Sequence, residues 1–150
     1  MRHMSMDPML ARGQAALAGQ PFSRMLGAEL TAFGEGGTEI RLKVRDELRQ
    51  QYGFVHGDVL SYLADNALTF AGGVALDGQV VTLELKLNYI RPATGVELIA
   101  RAHAPSSGRT QSVARCDIFS VEDGVERLCA ANSRPWLGAS RVAKSPKRLH

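Results

Sequence analysis

Two kinds of hydrophobic spacing occur along the chain, and together they predict one long helix set among strands. From about residue 57 to 74, apolar side chains recur every three or four positions, which is the period of one buried helix face. They are Leu60, Leu63, Ala67, Phe70, Ala71 and Val74. On both sides of this segment apolar and polar residues alternate instead, as in half-buried strands. The pattern predicts an α+β domain in which one antiparallel sheet wraps around one long central helix.

Six strands are predicted around the central helix. They cover residues 26–33, 38–45, 81–89, 96–104, 110–121 and 125–136. Turn chemistry separates most of them: glycines at 34–37, Pro92 with Gly95, and residues 105–108. Asp123-Gly124 is a favoured pair for a tight hairpin.

Signals for the start or the end of a helix occur beside two predicted helical segments. A short helix is predicted over residues 8–18, with Asp7 as its N-cap and Gly19 as its stop. Asp77-Gly78 supplies turn chemistry at the end of the central helix. The linker before the central helix runs from Asp46 to Val55.

A narrow polar stripe runs along the central helix. Its members follow three- and four-residue steps and are Asp58, Ser61, Asp65, Thr69 and Gly72. No lysine or arginine occurs between residues 50 and 76, although solvated helix faces usually carry such charges. Aspartate is also a poor helix former in a helix interior. The stripe suits the close approach of a ligand or another surface, while a solvated Asp65 is the alternative.

The start of the central helix has the properties of an oxyanion site. The first N–H groups of a helix have no internal partners, and the helix dipole there favours negative charge. Gly57 carries no side chain that would block a ligand from its amide. Such an end can hold a carbonyl oxygen that is gaining charge. Alternatively, Asp58 caps the helix.

Composition indicates one globular domain with a core at about residues 20–137. The 150 residues are 45 % hydrophobic and 22 % charged. The net charge of +3 comes from residues 134–150, which hold five basic and no acidic residues; the remainder has 13 basic and 15 acidic residues. We expect the chain to be unstructured after residues 136–138, and this basic tail to aid solubility or attract polyanions. No nucleic-acid motif, bilayer-spanning apolar run or secretory signal is present in the sequence.

The cysteines and histidines predict neither a disulfide framework nor a metal site. Cys116 and Cys129 are the only cysteines, and both lie in predicted strands. Four scattered histidines do not form a ligand set. A reducing cytoplasm is the natural setting for two such thiols. The chain also has no nucleophile-elbow, P-loop or dinucleotide-binding motif.

The loop and helix carry a motif that resembles a known family. Gln50-x-x-Gly53-x-x-His56-Gly57 is followed by Leu63-Ala64-Asp65, with the acid nine residues after the histidine. Residues 88–93, Asn-Tyr-Ile-Arg-Pro-Ala, add a second match. Over roughly residues 20–137 the chain resembles the hotdog-fold acyl-CoA thioesterases, in particular the PaaI-like and 4-hydroxybenzoyl-CoA thioesterase groups. The family usually has His-Gly-Gly, whereas the third position here is Asp58.

The resemblance implies a role for each residue of the motif. Asp65 would attack the thioester or activate water, and the Gly57 N–H would bind the oxyanion. Gln50 would orient the carbonyl or the water, and His56 would fix the shape of the loop. Thr69 would hold the water through its hydroxyl, or would simply bond back to the carbonyl of residue 65.

The resemblance also implies the substrate. It is a small, aromatic or medium-chain acyl-CoA, and no cofactor or metal is needed beyond the CoA of the substrate itself. Arg91, Gly108 and Arg109 lie where family members meet CoA, and Asp58 lies beside the oxyanion site. Ordinary surface roles fit these positions as well. The alternatives are a hotdog enoyl-CoA hydratase or dehydratase, and a non-catalytic acyl-CoA sensor.

Helix geometry predicts that two chains share each active site. Asp65 is eight residues beyond Gly57, or about 12 Å along the axis at roughly 1.5 Å per residue. A carbonyl bonded to the Gly57 amide therefore lies out of reach of the same chain's Asp65. A two-fold homodimer, alone or within a tetramer, would supply the acid from a second helix. Ser61, Ala64 and Gly72 are small enough to permit that approach. No nucleic acid or membrane partner is expected.

Overall fold

The structure is a computed structural model that describes residues 7–132 and the backbone of residues 139–141. The predicted end of the last strand beyond residue 132 lies outside the described residues, as does most of the basic tail. The expectation that the tail is unstructured throughout is wrong for Ala139–Arg141, which form a short strand.

Three α-helices and eight strands are present in the described part of the chain. In order they are α1 Pro8–Ala18, α2 Pro21–Leu26, β1 Glu29–Gly34, β2 Gly37–Lys43, a 3-10 turn at Asp46–Leu48, α3 Gly57–Leu76, β3 Val80–Thr82, β4 Leu87–Tyr89, β5 Glu97–Ser107, β6 Gln111–Glu122, β7 Val125–Asn132 and β8 Ala139–Arg141.

One antiparallel sheet covers the long helix α3. The strand order is β1-β2-β5-β6-β7-β4, and β8 joins β3 to β6. α3 lies mainly against β5 and β6, at the middle of the sheet. The predicted α+β class, with one sheet around one central helix, is confirmed.

The core forms between the apolar face of α3 and the inward-facing residues of the sheet. Four residues from two successive turns of the helix are fully buried: Leu63, Ala64, Ala67 and Leu68. From the sheet, alternate residues meet them, and these are Ile40, Leu42, Leu98, Ala100 and Ile118. Burying one large aliphatic side chain of this kind stabilises the fold by about 1.5–3 kcal/mol. The predicted helix face is correct, although Phe70 and Val74 are only partly buried.

The predicted strand over residues 26–33 begins too early. Leu26 belongs to helix α2, and Gly27 ends that helix in the left-handed region with φ 80°. Pro21 at the first helical position favours this second helix directly after α1, because the amide hydrogen that proline lacks is not used there. The strand starts at Glu29.

The predicted strand over residues 81–89 is two short strands. β3 pairs with β8, whereas β4 pairs with β7. One straight strand cannot serve both neighbours, so the ladder is interrupted at residues 83–86. The alternating pattern missed this because it reports which side chains are apolar and not which strand lies alongside.

The predicted turn over residues 105–108 is also misplaced. β5 continues through Pro105 to Ser107, with a register shift between His103 and Ser106. A bulge of this kind accommodates a proline that cannot donate to the ladder. The turn follows at Gly108, whose N–H donates to Gln111 O at 2.7 Å.

An ion-pair network covers part of the sheet around Glu39. Its carboxylate accepts hydrogen bonds from Arg101, Arg41 and Thr31 at 2.7–2.8 Å. Burial by itself would raise the pKa of Glu39, but these hydrogen bonds outweigh it and lower the pKa from 4.5 to about 2. Arg101 also makes a bidentate pair with Glu126.

This network predicts a loss of stability in acid. A carboxyl whose pKa is lower in the folded protein contributes stability above its unfolded pKa, and that contribution is lost as the pH falls toward its folded pKa. We expect the free energy of unfolding of Glu39→Gln to fall less than that of the native protein between about pH 5 and about pH 2.5. Urea unfolding across this range measures the difference. Glu35→Gln, in the exposed β1–β2 turn, is the matched control and should follow the native curve. Parallel curves for native protein and Glu39→Gln would contradict the prediction.

Candidate active site

A closely hydrogen-bonded loop leads into α3. Gln50 N–H donates to Phe54 O at 2.8 Å, and Gly53 N–H donates back to Gln50 O at 3.0 Å. Gly53 has φ 86°, a conformation that favours glycine. The N–H of His56 donates to Leu48 O at 2.8 Å and ties the end of the loop to the 3-10 turn. The loop therefore holds the start of α3 in a fixed place.

His56 is the N-cap of α3. Its Nδ1 accepts from Asp58 N–H at 3.2 Å, and its carbonyl oxygen accepts from Val59 N–H at 3.0 Å. The histidine thus bonds the backbone of the first turn of α3 with both its side chain and its carbonyl oxygen. Asp58 is not the cap: its side chain is 91 % exposed, with Oδ2 3.5 Å from His56 Nδ1.

The backbone N–H of Gly57 remains without a hydrogen-bond acceptor at this capped helix start in the described part of the chain. The next two amides of the helix are bonded to His56, but the Gly57 N–H has no acceptor among the described residues. It points from the positive end of a 20-residue helix. A carbonyl oxygen that develops negative charge would be stabilised there.

Tyr89 lies over Gly57 and was not predicted as a site residue. A β-carbon at Gly57 would be 3.4 Å from the tyrosine ring. The Tyr89 hydroxyl donates to Gly57 O at 3.2 Å and is 2.6 Å from Ser61 Oγ. Tyr89 ends the predicted strand over residues 81–89, and its place in the motif at residues 88–93 was the available signal.

Asp65 is exposed on the third turn of α3, where two threonines meet it. Thr82 Oγ1 donates to Asp65 Oδ1 at 2.5 Å. Thr69 Oγ1 donates to the Asp65 carbonyl oxygen at 2.7 Å and is 3.0 Å from Thr82 Oγ1. Thr69 therefore makes the helix-internal bond that was its alternative role. Thr82 was missed because the pattern predicted one continuous strand over residues 81–89 and gave no sign of a contact with the helix.

The open face of α3 carries most of the predicted polar stripe. Asp58 and Asp65 are exposed, and Ser61 and Thr69 are partly exposed. Gly72 and Ala64 are buried within the single chain. At a spacing of 100° per residue, Ala64 falls on the side that faces the sheet. Of the three small residues, Ser61 alone is left on the open face.

Gln50 has one of its two side-chain polar atoms occupied. Its Oε1 accepts from Tyr52 N–H at 2.7 Å within the loop turn. The side-chain nitrogen is thus the atom available to a substrate. Gln50 lies on the loop that ends at His56, and it hydrogen-bonds to the loop residues Tyr52, Gly53 and Phe54.

The three predicted CoA-contact residues lie in two separate places. Arg91 lines a cavity with Phe54, Glu122 and Arg127, next to the loop and at one end of β6. Gly108 and Arg109 lie in the β5–β6 turn, before the other end of that strand. β6 has 12 residues, so these two places lie at opposite ends of a strand that is about 36 Å long at roughly 3.3 Å per residue. One chain does not bring Arg91 and Arg109 together.

Comparison with known proteins identifies the family. A family model described as the thioesterase superfamily matches residues 52–126, which is half of the chain. A Haemophilus influenzae protein, provisionally named as an esterase, is 33 % identical over 109 residues, or 71 % of this chain and 77 % of its own length. The range that the family model matches includes the loop from Tyr52 onward, α3 and the strands that carry Thr82 and Tyr89, and it begins after Gln50.

Solved structures agree with the family assignment. A thioesterase from Haemophilus influenzae is 28 % identical with a TM-score of 0.77, covering 96 % of this chain and 97 % of its own. The phenylacetic acid degradation protein PaaI from Thermus thermophilus, studied as a mutant, is 27 % identical with a TM-score of 0.68, covering 82 % and 100 %. The resemblance found in the sequence is thereby confirmed. This chain belongs to the thioesterase superfamily and is a thioester hydrolase with the hotdog fold.

Proposed function

We propose that the protein hydrolyses the thioester bond of a small, aromatic or medium-chain acyl-CoA. The observation that carries the proposal is the combination of an unbonded Gly57 N–H and an exposed Asp65 carboxylate on one open helix face. An oxyanion donor and a carboxylate are what hydrolysis of a thioester carbonyl requires. The two buried free cysteines support a reducing, cytoplasmic setting.

The proposed chemistry assigns one task to each group. The Gly57 amide polarises the thioester carbonyl, and the side-chain nitrogen of Gln50 helps to orient it. Asp65 attacks the carbonyl carbon directly or removes a proton from an attacking water. The carbon–sulfur bond then breaks, and CoA leaves as a thiolate that takes up a proton. On the direct route, water then hydrolyses the mixed anhydride between the acyl group and Asp65, which gives the free acid and restores the carboxylate. On the water route the free acid forms when the carbon–sulfur bond breaks. His56 takes part only by holding the loop.

We further propose that each site combines two chains. Gly57 and Asp65 of one helix are about 12 Å apart along the axis, at roughly 1.5 Å per residue. Arg91 lies on the Gly57 side, since it follows Tyr89, which touches Gly57. Arg109 lies on the Asp65 side, because β8 joins the start of β6 to β3, where Thr82 contacts Asp65. A two-fold dimer would unite the Gly57 half of one chain with the Asp65 half of the other.

Exposed apolar residues support association along this edge. Val81, Leu83, Tyr89 and Ile90 are each about half exposed, and residues 83–86 have no ladder partner in the described part of the chain. Unpaired strand edges with apolar side chains favour pairing with another chain. A dimer formed here would place two α3 helices side by side, and a tetramer would add a second such pair.

The proposed chemistry predicts that activity depends on the Asp65 carboxylate. Asp65→Asn keeps the side-chain shape but removes the carboxylate, so turnover should fall roughly 100-fold or more. Release of free thiol from short, aromatic and long acyl-CoAs measures it. Asp77→Asn is the matched control: Asp77 ends the same helix in the left-handed region, which asparagine also tolerates, and activity should be unchanged.

The same assay separates the alternatives. Thiol release by the native protein supports hydrolysis. Hydration of an enoyl-CoA without thiol release would instead identify a hydratase, and binding without turnover would identify a sensor. Native turnover in folded Asp65→Asn would remove Asp65 from the mechanism.

The shared site predicts that two inactive variants restore activity together. Gly57→Pro removes the free N–H, and proline suits this first helical position because His56 is extended before it. When Gly57→Pro and Asp65→Asn are coexpressed, random pairing makes half of the dimers mixed. Each mixed dimer has one intact site. Roughly a quarter of native activity should return. If both variants fold and exchange subunits but no activity returns, the sites are not shared.

The proposed contact of Arg109 with the CoA phosphates predicts that its loss weakens the binding of acyl-CoA and leaves turnover unchanged. Arg109→Ala should raise KM for an acyl-CoA with kcat little changed, since a phosphate contact far from the carbonyl binds substrate and transition state equally. A truncated thioester without the nucleotide should show no such change. Arg115→Ala, an exposed arginine on β6, is the control. Equal losses on both substrates would contradict a role at the CoA phosphates.

A further inference from the structure

Thr82 reaches the candidate acid from a different element of the fold. It is the last residue of β3, and β3 is held by pairing with β8 and by contact with α3. Its partly buried hydroxyl donates to Asp65 Oδ1, while the neighbouring Val80 packs against the core. The strand therefore brings the hydroxyl to Asp65 from an element other than the helix that carries the acid.

The hydroxyl hydrogens of the cluster can be accounted for individually. A threonine hydroxyl has one hydrogen to donate. Thr82 donates its hydrogen to Asp65 Oδ1. Thr69 has acceptors at the Asp65 carbonyl oxygen and at Thr82 Oγ1, and it can point its hydrogen at either. When Thr69 points toward Thr82, the two hydroxyls form a chain that ends at Oδ1.

The consequence is that the two oxygens of the Asp65 carboxylate are not equivalent. Oδ1 has a fixed donor, whereas Oδ2 has no partner among the described residues. An exposed aspartate otherwise rotates freely, because the torsion next to a carboxylate is broad. A group that attacks a carbonyl or a water has to be held close to its reacting geometry.

We propose that Thr82 is a positioning residue that holds Asp65 by Oδ1 and so presents Oδ2 for the reaction. This inference rests on the proposed function, in which Asp65 is the reacting acid. Thr82 itself touches neither thioester nor water. It acts through Asp65, and its effect is therefore confined to turnover.

The test compares Thr82→Val, which keeps the shape and removes the hydroxyl, with Thr82→Ser, which keeps the hydroxyl. We expect kcat of Thr82→Val to fall roughly 10-fold with KM unchanged. The variant loses a hydrogen bond to a charged group, and that bond positions the reacting acid but does not bind the substrate. Thr82→Ser should return kcat to within about twofold of native. Thr31→Val removes another threonine bond to a carboxylate, that of Glu39, and should leave kcat unchanged.

A double variant shows whether Thr82 acts through Asp65. Adding Thr82→Val to Asp65→Asn should cause no further loss, since residues that act as a unit are not additive. A further 10-fold loss in the double variant would overturn the proposal, as would native kcat in Thr82→Val or an effect on KM alone.

If Thr82→Val does not fold, Thr82→Ala takes its place, and equal kcat values for the alanine and serine variants would overturn the proposal. Native activity in Asp65→Asn would refute the proposed function itself, a result that the single Thr82 variants cannot produce.

Discussion

Burial of one side of α3 in the sheet is the constraint on which the rest of the structure depends. Leu63, Ala67 and Leu68 are completely buried, so the rotation of the helix about its axis is fixed by packing. At 100° per residue, this leaves Asp58 and Asp65 on the opposite side, where both are exposed. Because the apolar stripe must face the sheet, the helix has one possible orientation, and that orientation places the Asp65 carboxylate on the open face. Core packing thus decides where the chemistry can occur.

The same constraint explains why the start of the helix is available to a ligand. A helix start has orphan donors that must be capped or solvated. Here His56 caps the helix from the loop and satisfies Asp58 N–H, while Gly57 keeps its own N–H free beneath Tyr89. A serine or aspartate N-cap would do the same for stability. The tight loop back to Leu48, which needs a left-handed Gly53, explains why the motif has glycines at fixed distances from the histidine.

Much of this could be predicted from sequence, because it depends on local periodicity. The buried face of α3, the Asp7 cap of α1 and the Asp123-Gly124 hairpin each follow from neighbouring residues. The error at residues 81–89 comes from non-local pairing. Whether residues 81–89 form one strand depends on β8, which lies some sixty residues further along the chain. The contact between Thr82 and Asp65 was hidden for that reason, since nothing in the local pattern turns Thr82 toward the helix.

The misread segment is also what links the two halves of the site. Thr82 contacts Asp65 and Tyr89 contacts Gly57, so the chain from 82 to 89 runs back along the open side of α3. Seven residues of straight strand would cover about 23 Å at roughly 3.3 Å each, whereas the helix between those contacts covers about 12 Å at roughly 1.5 Å per residue. A straight strand would overshoot. The interruption at residues 83–86 and the long reach of the Tyr89 side chain take up the difference. A continuous strand here would satisfy the hydrophobic pattern but would separate one of the two contacts from the helix.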